Sequence, residues 1–149
     1  MRSYRRRLPH LRAEGSTYFL TWRLSPNQHD LTDEERSVVA SNLHYFDNQR
    51  YLLTAFVVMN DHVHVLVQPY PGHELEALIQ GWKSYTTGQL QKQTARLSTL
   101  WQDEYFDRII RDASDLADKI AYIENNPAKR WPGIKTYEWL YIGASARRA

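Results

Sequence analysis

The chain has 149 residues and a net charge of +2, with 42% hydrophobic and 13% aromatic residues, a composition that excludes a disordered protein. No apolar run approaches the ~18 residues that a membrane span needs, so no membrane association is expected. The chain contains no cysteine, which excludes disulfides and thiolate sites, and a cytoplasmic location is expected. The length predicts one domain over residues 1–149.

Positive charge is concentrated at the two ends of the chain. A basic arm over residues 1–13 and a basic tail over residues 144–149 flank a middle that is mildly acidic. This pattern is typical of arms that grip a polyanion, although a purely solubilising role is the alternative. The arm therefore supplies the first candidate DNA contacts, Arg5, Arg6, Arg7 and Arg12.

The first half of the chain predicts three strands and a helix. "STYFLTWRL" (16–24) is rich in β-forming residues and predicts the first strand. The first helix follows Thr32, because Glu35 stands three residues later in a capping-box pattern and apolar residues then recur at helical spacing. "YLLTAFVV" (51–58) and "HVHVLVQP" (62–69) are joined by a turn at 59–61, which predicts an antiparallel hairpin.

The second half predicts two helices and two shorter strands. A helix runs from about 74 to 94, an irregular link follows, and "EYFDRIIRD" (104–112) is a fourth strand. The third helix spans about 113–126 and ends there, because a residue before proline is disfavoured in α geometry. A last short strand is expected at 137–143. This order predicts an α+β fold, a ferredoxin-like or RRM-like sandwich with helices packed on a central antiparallel sheet.

Two histidines stand two residues apart in the third strand. Side chains alternate along a strand, so His62 and His64 project from one face, and the valines between and after them project from the other. Two imidazoles on one face can offer two nitrogens to one metal ion, while partnered core histidines are the alternative. The candidates for a further ligand are Asp61, Asp103, Asp107 and Asn126.

The third helix carries the other half of the predicted site. Tyr122 and Asn126 are four residues apart and therefore share one helical face, which we expect to avoid the apolar stripe of Leu116, Ile120 and Ile123. If the helix meets the strand, His62, His64 and Asn126 hold a metal ion with the tyrosine hydroxyl beside it.

This pattern resembles that of the single-tyrosine HUH transposases. The context is similar to their branch of REP-associated tyrosine transposases, relatives of the IS200/IS605 enzymes. The similar segments occur in the expected order over about residues 14–135: "YFLT" (18–21), "MNDHVH" (59–64), Trp101 with "FDRIIRD" (106–112), and "YIENNP" (122–127). The chain departs from the family at Asn60-Asp61, where Pro-Asn is frequent, and this changes the turn without affecting a proposed ligand.

The resemblance implies a metal-dependent endonuclease and strand transferase that acts on single-stranded repeat hairpin DNA through a 5′-phosphotyrosine. Tyr122 would be the nucleophile, because a phenolate is a good leaving group in the rejoining step. The neutral ligands suit Mg²⁺ or Mn²⁺, while Zn²⁺ remains open. Further DNA contacts are expected from Lys83, Arg108 and Arg111, with a position on a solvated face as the alternative for each. Whether the chain acts as a monomer or a homodimer is left open.

Three alternatives were weighed against this interpretation. Tyr85 and Tyr105 compete for the role of nucleophile, but neither has an amide four residues later. A histidine-triad nucleotide hydrolase needs a third histidine where this chain has Leu66. A protein that binds DNA hairpins without cutting them would have no need of the complete set of His62, His64, Tyr122 and Asn126.

Overall fold

The structure, a computed structural model, describes residues 12–96 and 99–147. Arg5, Arg6 and Arg7 of the predicted arm lie outside the described residues. The elements are β1 (Tyr18–Arg23), α1 (Asp33–Tyr45), β2 (Tyr51–Val58), β3 (His62–Pro69), α2 (Leu75–Thr94), β4 (Phe106–Ile109), α3 (Ala113–Arg130), β5 (Leu140–Ile142) and α4 (Ala144–Arg147). No helix in the described ranges combines the length and apolar character that crossing a bilayer requires.

The five strands form one antiparallel sheet in the order β4-β1-β3-β2-β5. The first six elements follow the ferredoxin-like order, and β5 extends the sheet beyond β2. The predicted fold class is therefore confirmed. The β2–β3 hairpin forms as expected, because the backbone N–H of Met59 donates to the carbonyl of His62 across a short turn.

The two faces of the sheet have different coverings. Val63, Val65 and Val67 of β3 belong to a large core beneath α1 and α2. On the opposite face, Phe19 and Leu66 pack in a smaller core with Ile123 of α3. The strand period of two thus assigns α3, and not α1 or α2, to the face from which the two histidines project.

The first helix begins as the sequence predicts. Thr32 accepts a hydrogen bond from the Glu35 backbone, and the Glu35 carboxylate accepts one from the Thr32 backbone, which completes a capping box. The same carboxylate is almost fully buried and pairs with the Arg96 guanidinium at 2.7 Å. This ion pair ties the start of α1 to the segment that follows α2.

The prediction that the third helix ends before Pro127 was wrong. Helix α3 continues through Pro127 to Arg130, and the backbone N–H of Trp131 donates to the Pro127 carbonyl at 2.8 Å to close the last turn. Asn126 and Pro127 are both buried. Packing of these two residues outweighs the local steric preference of a residue that precedes proline.

The C-terminal segment is more ordered than a tail. The first four residues of the predicted basic tail form α4, and Ala146 within it is buried. Gly143 immediately precedes this helix, and a Cβ there would lie 3.1 Å from the Thr54 carbonyl oxygen. Glycine at this position therefore allows the backbone to approach β2 closely.

Candidate active site

The two histidines of β3 lie side by side on the α3 face of the sheet. The ring centroids of His62 and His64 are 4.7 Å apart. Their neighbours Val63 and Val65 are fully buried on the other face. The same-face relationship predicted from the sequence is present, and the imidazole pair lies close enough to serve one bound ion.

His64 is the buried member of the pair, with 3% of its surface exposed. Its Nδ1 lies 2.7 Å from the Thr21 hydroxyl, which faces it from the neighbouring strand β1. Its Nε2 is buried and has no hydrogen-bond partner among the described residues. Burial, together with the nearby His62 and Arg23, lowers the pKa of His64 to about 3. The ring is therefore neutral at physiological pH and can donate a nitrogen lone pair.

His62 lies at the more accessible side of the pair. Its Nδ1 contacts the Asp61 carboxylate at 2.7 Å. A carboxylate at the second ring nitrogen orients a metal-binding histidine and raises its basicity. Both rings are thus held at Nδ1, which leaves Nε2 of each for a ligand.

Tyr122 approaches the histidines from α3. Its ring lies edge-on to the ring of His64 with the centroids 5.2 Å apart. Phe19 stacks on His64 with the ring centroids 5.4 Å apart, and its ring meets that of Tyr122 edge-on at 5.9 Å. Tyr122 is 43% exposed, so its hydroxyl can meet a substrate that arrives from solvent.

Asn126 lies one helical turn beyond Tyr122 and is only 7% exposed. Its burial accompanies that of Ile123, which packs on the sheet. A position three residues from Ile123 flanks the buried side of the helix. The amide therefore lies on the side of α3 that faces the sheet.

The side chains at the site determine how a metal ion could be held there. Within the described ranges no three His, Asp or Glu side chains form a metal site. A site here must therefore combine the imidazole pair with an amide or with water and substrate oxygens. The buried, unpartnered Nε2 of His64 fits such an ion, because a ligand would satisfy a group that is otherwise costly to bury.

The two competing tyrosines lie on the face of the sheet opposite the histidines. Tyr85 belongs to α2, which packs on the valine face of β3. Tyr105 packs against the same large core, and its hydroxyl contacts the Arg12 guanidinium at 3.3 Å. Among these three tyrosines, Tyr122 is the one on the histidine face.

The remaining cations predicted to contact DNA have partners within the protein. Arg12 pairs with Glu76 at 2.7 Å and with Asp107 at 2.8 Å. Lys83 donates to the backbone carbonyls of Gln102 and Asp103.

Two further predicted DNA contacts share one acidic partner. Arg108 pairs with Asp115 at 2.8 Å, and Arg111 contacts the same carboxylate through its backbone N–H. These contacts order β4 and the start of α3.

Four residues at the site escaped the sequence analysis. Thr21 and Phe19 surround His64 from β1, and their role depends on strand pairing that the sequence does not display. Lys119 and Lys129 place their ammonium groups 5.7 Å from the rings of Phe19 and Tyr122, respectively. Their spacing from Tyr122 along the helix was a usable signal.

The chain is similar to known transposases over most of its length. Residues 15–126 match the family described as "Transposase IS200 like". A protein of Haemophilus influenzae that is assigned as a REP-associated tyrosine transposase is 28% identical over 155 residues, which cover 95% of this chain and 84% of the relative.

Solved structures show the same fold. A REP-associated tyrosine transposase bound to a REP hairpin superposes with a TM-score of 0.72 at 21% identity, over 94% of this chain and 82% of the other. A protein of Deinococcus radiodurans assigned as a transposase gives a TM-score of 0.54 at 24% identity, over 84% of this chain and 97% of the other.

Proposed function

This chain belongs to the family of IS200-like transposases, and we propose that it cuts and rejoins single-stranded DNA beside a repeat hairpin through a covalent bond to Tyr122. One observation carries the proposal. The Tyr122 ring lies 5.2 Å from the ring of His64, whose buried Nε2 has no protein partner among the described residues. The hydroxyl-bearing ring of Tyr122 and an imidazole nitrogen suited to a metal ion thus adjoin on one face of the sheet.

His62, His64 and Asn126 would hold a divalent cation, Mg²⁺ or Mn²⁺. When bound, the ion supplies positive charge that polarises the scissile phosphate. An amide carries no charge, and an imidazole binds a metal ion through a neutral nitrogen, a form that the burial of His64 favours by lowering its pKa to about 3. These ligands would therefore leave the charge of the ion available to the phosphate.

Tyr122 performs the covalent step. Its hydroxyl oxygen attacks phosphorus, and the bond from phosphorus to the 3′ oxygen breaks as the new bond forms. The phenol proton leaves to water, which reaches this partly exposed side chain, and the departing 3′ oxygen takes up a proton. The product is a 5′-phosphotyrosine with a free 3′ hydroxyl. Attack by a 3′ hydroxyl on this linkage reverses the step and expels the tyrosine, so rejoining needs no nucleotide cofactor.

The proposed substrate is hairpin DNA with a single-stranded flank. Support comes from the structurally similar transposase that was solved with a REP hairpin. Tyr122 lies on an accessible surface, where an unpaired strand can reach it. The second candidate function is hairpin binding without cleavage. It predicts the same DNA binding but no covalent product.

A covalent adduct distinguishes the two candidates. Hairpin oligonucleotides with randomised stems and flanks are first selected for binding, and the selected DNA is labelled at its 3′ end. Incubation with the protein and Mn²⁺ should give a labelled band that survives denaturing electrophoresis. Chelation should abolish the band, and added Mg²⁺ or Mn²⁺ should restore it. Tight hairpin binding without any adduct in either metal would establish the binding-only alternative.

A further inference from the structure

Two lysines of α3 lie beside aromatic rings of the site, and neither was among the cations predicted from the sequence to contact DNA. The Lys119 ammonium lies 5.7 Å from the centre of the Phe19 ring, and Phe19 itself stacks on His64. The Lys129 ammonium lies 5.7 Å from the centre of the Tyr122 ring. Both positive charges are therefore next to aromatic rings of the proposed active site.

The two lysines share one stripe of the helix with the proposed nucleophile. Lys119, Tyr122, Asn126 and Lys129 follow one another at spacings of three, four and three residues, which places them along one side of α3. With a rise of about 1.5 Å per residue, Lys119 precedes Tyr122 by about 4.5 Å and Lys129 follows it by about 10 Å along the helix axis. The positive charges thus flank the nucleophile on both sides.

No acidic group among the described residues neutralises these charges. In the part of the chain that the structure describes, neither ammonium forms an ion pair with a carboxylate. Arg12 and Arg108, by contrast, are each held by buried acids. The ring contacts contribute little stability at accessible positions, so a purely structural role explains the pair poorly.

An exposed aromatic residue stands at the Lys119 end of the stripe. Phe106 of β4 is 49% exposed, and its ring meets that of Phe19 edge-on at 6.4 Å. Proteins that bind single-stranded DNA combine cations for the phosphates with aromatic rings on which bases stack. Phe106 and Lys119 together offer one element of each kind beside the site.

We propose that Lys119 and Lys129 bind two different phosphates of the same DNA strand, on opposite sides of the scissile phosphate. This inference rests on the proposed function and adds the path of the substrate to it. The strand runs along α3 with Tyr122 between the two contacts, and a base at the Lys119 end stacks on Phe106. The lysines hold the scissile phosphate in line with the tyrosine hydroxyl and act as positioning residues.

The test uses the full chain and DNA with single neutral linkages. Wild type, Lys119→Gln and Lys129→Gln are titrated with the selected hairpin DNA and with versions in which one phosphate near the cleavage position is a methylphosphonate. Lys92→Gln is the matched control, because Lys92 is an exposed lysine near the end of α2, on the opposite face of the sheet. Lys119→Gln and Lys129→Gln should each bind normal DNA up to about fivefold more weakly than wild type. Each should also reduce the log–log salt dependence of binding by about 0.7.

The decisive result is the dependence on position. One methylphosphonate should remove the difference between wild type and Lys119→Gln, and a different one, across the cleavage position, should do so for Lys129→Gln. The inference is wrong if both variants bind DNA like Lys92→Gln. It is also wrong if every methylphosphonate weakens binding by the same factor in wild type and in both lysine variants. These readouts are binding constants, so they judge the lysines separately from the adduct assay that tests the proposed function.

Discussion

The hydroxyl of Thr21 lies 2.7 Å from Nδ1 of His64, directly across the β1–β3 pairing. For Nε2 to bind a metal ion, Nδ1 must carry the proton and donate it to this hydroxyl. Thr21 therefore holds the orientation of the buried imidazole, and its hydroxyl can accept the proton of the Nδ1–H tautomer that metal binding at Nε2 requires. Asp61 has the same relationship to His62 at the accessible side of the site.

Replacing Thr21 by valine should weaken metal binding. Valine keeps the shape of the side chain and removes the hydrogen-bond acceptor, so Mn²⁺ affinity should fall roughly 10- to 100-fold. Thr21→Ser keeps the hydroxyl and should retain most of the affinity. Calorimetric titration with Mn²⁺ in the absence of DNA measures both. Wild-type affinity in Thr21→Val would show that this hydrogen bond does not prepare His64 for a ligand.

Replacing Tyr122 by phenylalanine should separate DNA binding from DNA cutting. The ring contacts with His64 and Phe19 can persist, so stability and hairpin binding should change little. The attacking oxygen is gone, so cleavage and the adduct should both vanish. Tyr85→Phe and Tyr105→Phe are the controls, because both residues lie on the opposite side of the sheet, and both should still form the adduct. Peptide mapping of the DNA-linked protein that identified Tyr85 or Tyr105 would overturn the assignment.

The buried pair of Glu35 and Arg96 should make the fold sensitive to acid. Burial alone would raise the pKa of Glu35, but hydrogen bonds from Arg96, Thr94 and the Thr32 backbone outweigh burial and lower this pKa to about 2. A carboxyl with a lowered folded-state pKa stabilises the fold fully above its ordinary value of 4.5. This contribution should be lost progressively as the pH falls from about 4.5 towards about 2.

Glu35→Gln tests that origin of acid sensitivity. It leaves the buried Arg96 guanidinium without its counter-charge and should cost about 3–5 kcal/mol at neutral pH, measured by urea unfolding. The variant should also lose part of the pH dependence below 4.5. Asp33→Asn removes the exposed partner of Arg36 and should cost less than about 1 kcal/mol. Equal effects of the two substitutions would rule out a special contribution from the buried pair.

The N-terminal arm should contribute DNA affinity and leave the chemical step intact. Arg12 pairs with Glu76 and Asp107, so a deletion that tests the arm should stop at residue 11 and spare this contact. Loss of residues 1–11 should make the log–log salt dependence of binding shallower by up to ~0.7 for each phosphate contact removed. Adduct yield at saturating DNA should stay the same. An unchanged salt dependence would show that the arm does not touch the phosphates.

Local patterns accounted for most of the fold. The capping box at Thr32 and the hairpin around residues 59–61 depend on neighbours within a few residues, and both form as predicted. The continuation of α3 through Pro127 was missed, because it depends on burial against the sheet. A local steric preference could not reveal that tertiary packing would override it.

Only part of the site was predictable from the sequence, because local patterns show which residues share a face but not which residues meet through tertiary packing. Alternation along β3 and the four-residue helical spacing brought His62, His64 and Tyr122 into view, and the structure places these three rings together. The partners of Arg12 and Arg108 could not be anticipated, because a cation in sequence carries no sign of the acid it will meet. Asp107 lies within reach of Arg12 because β4, which carries it, pairs with β1.

The central position of β3 has a consequence for the order in which the protein comes apart. β3 is paired on both sides, whereas β4 and β5 form the two edges of the sheet. Along the chain, α3 lies between those two edge strands. Amide hydrogens of the histidine strand should therefore exchange among the slowest, and fraying should begin at the edges that flank α3. Because α3 is joined to both edge strands, we expect Tyr122 to separate from the histidines on gentle heating while most of the sheet is still intact, and the proposed cleavage activity to be lost before global melting.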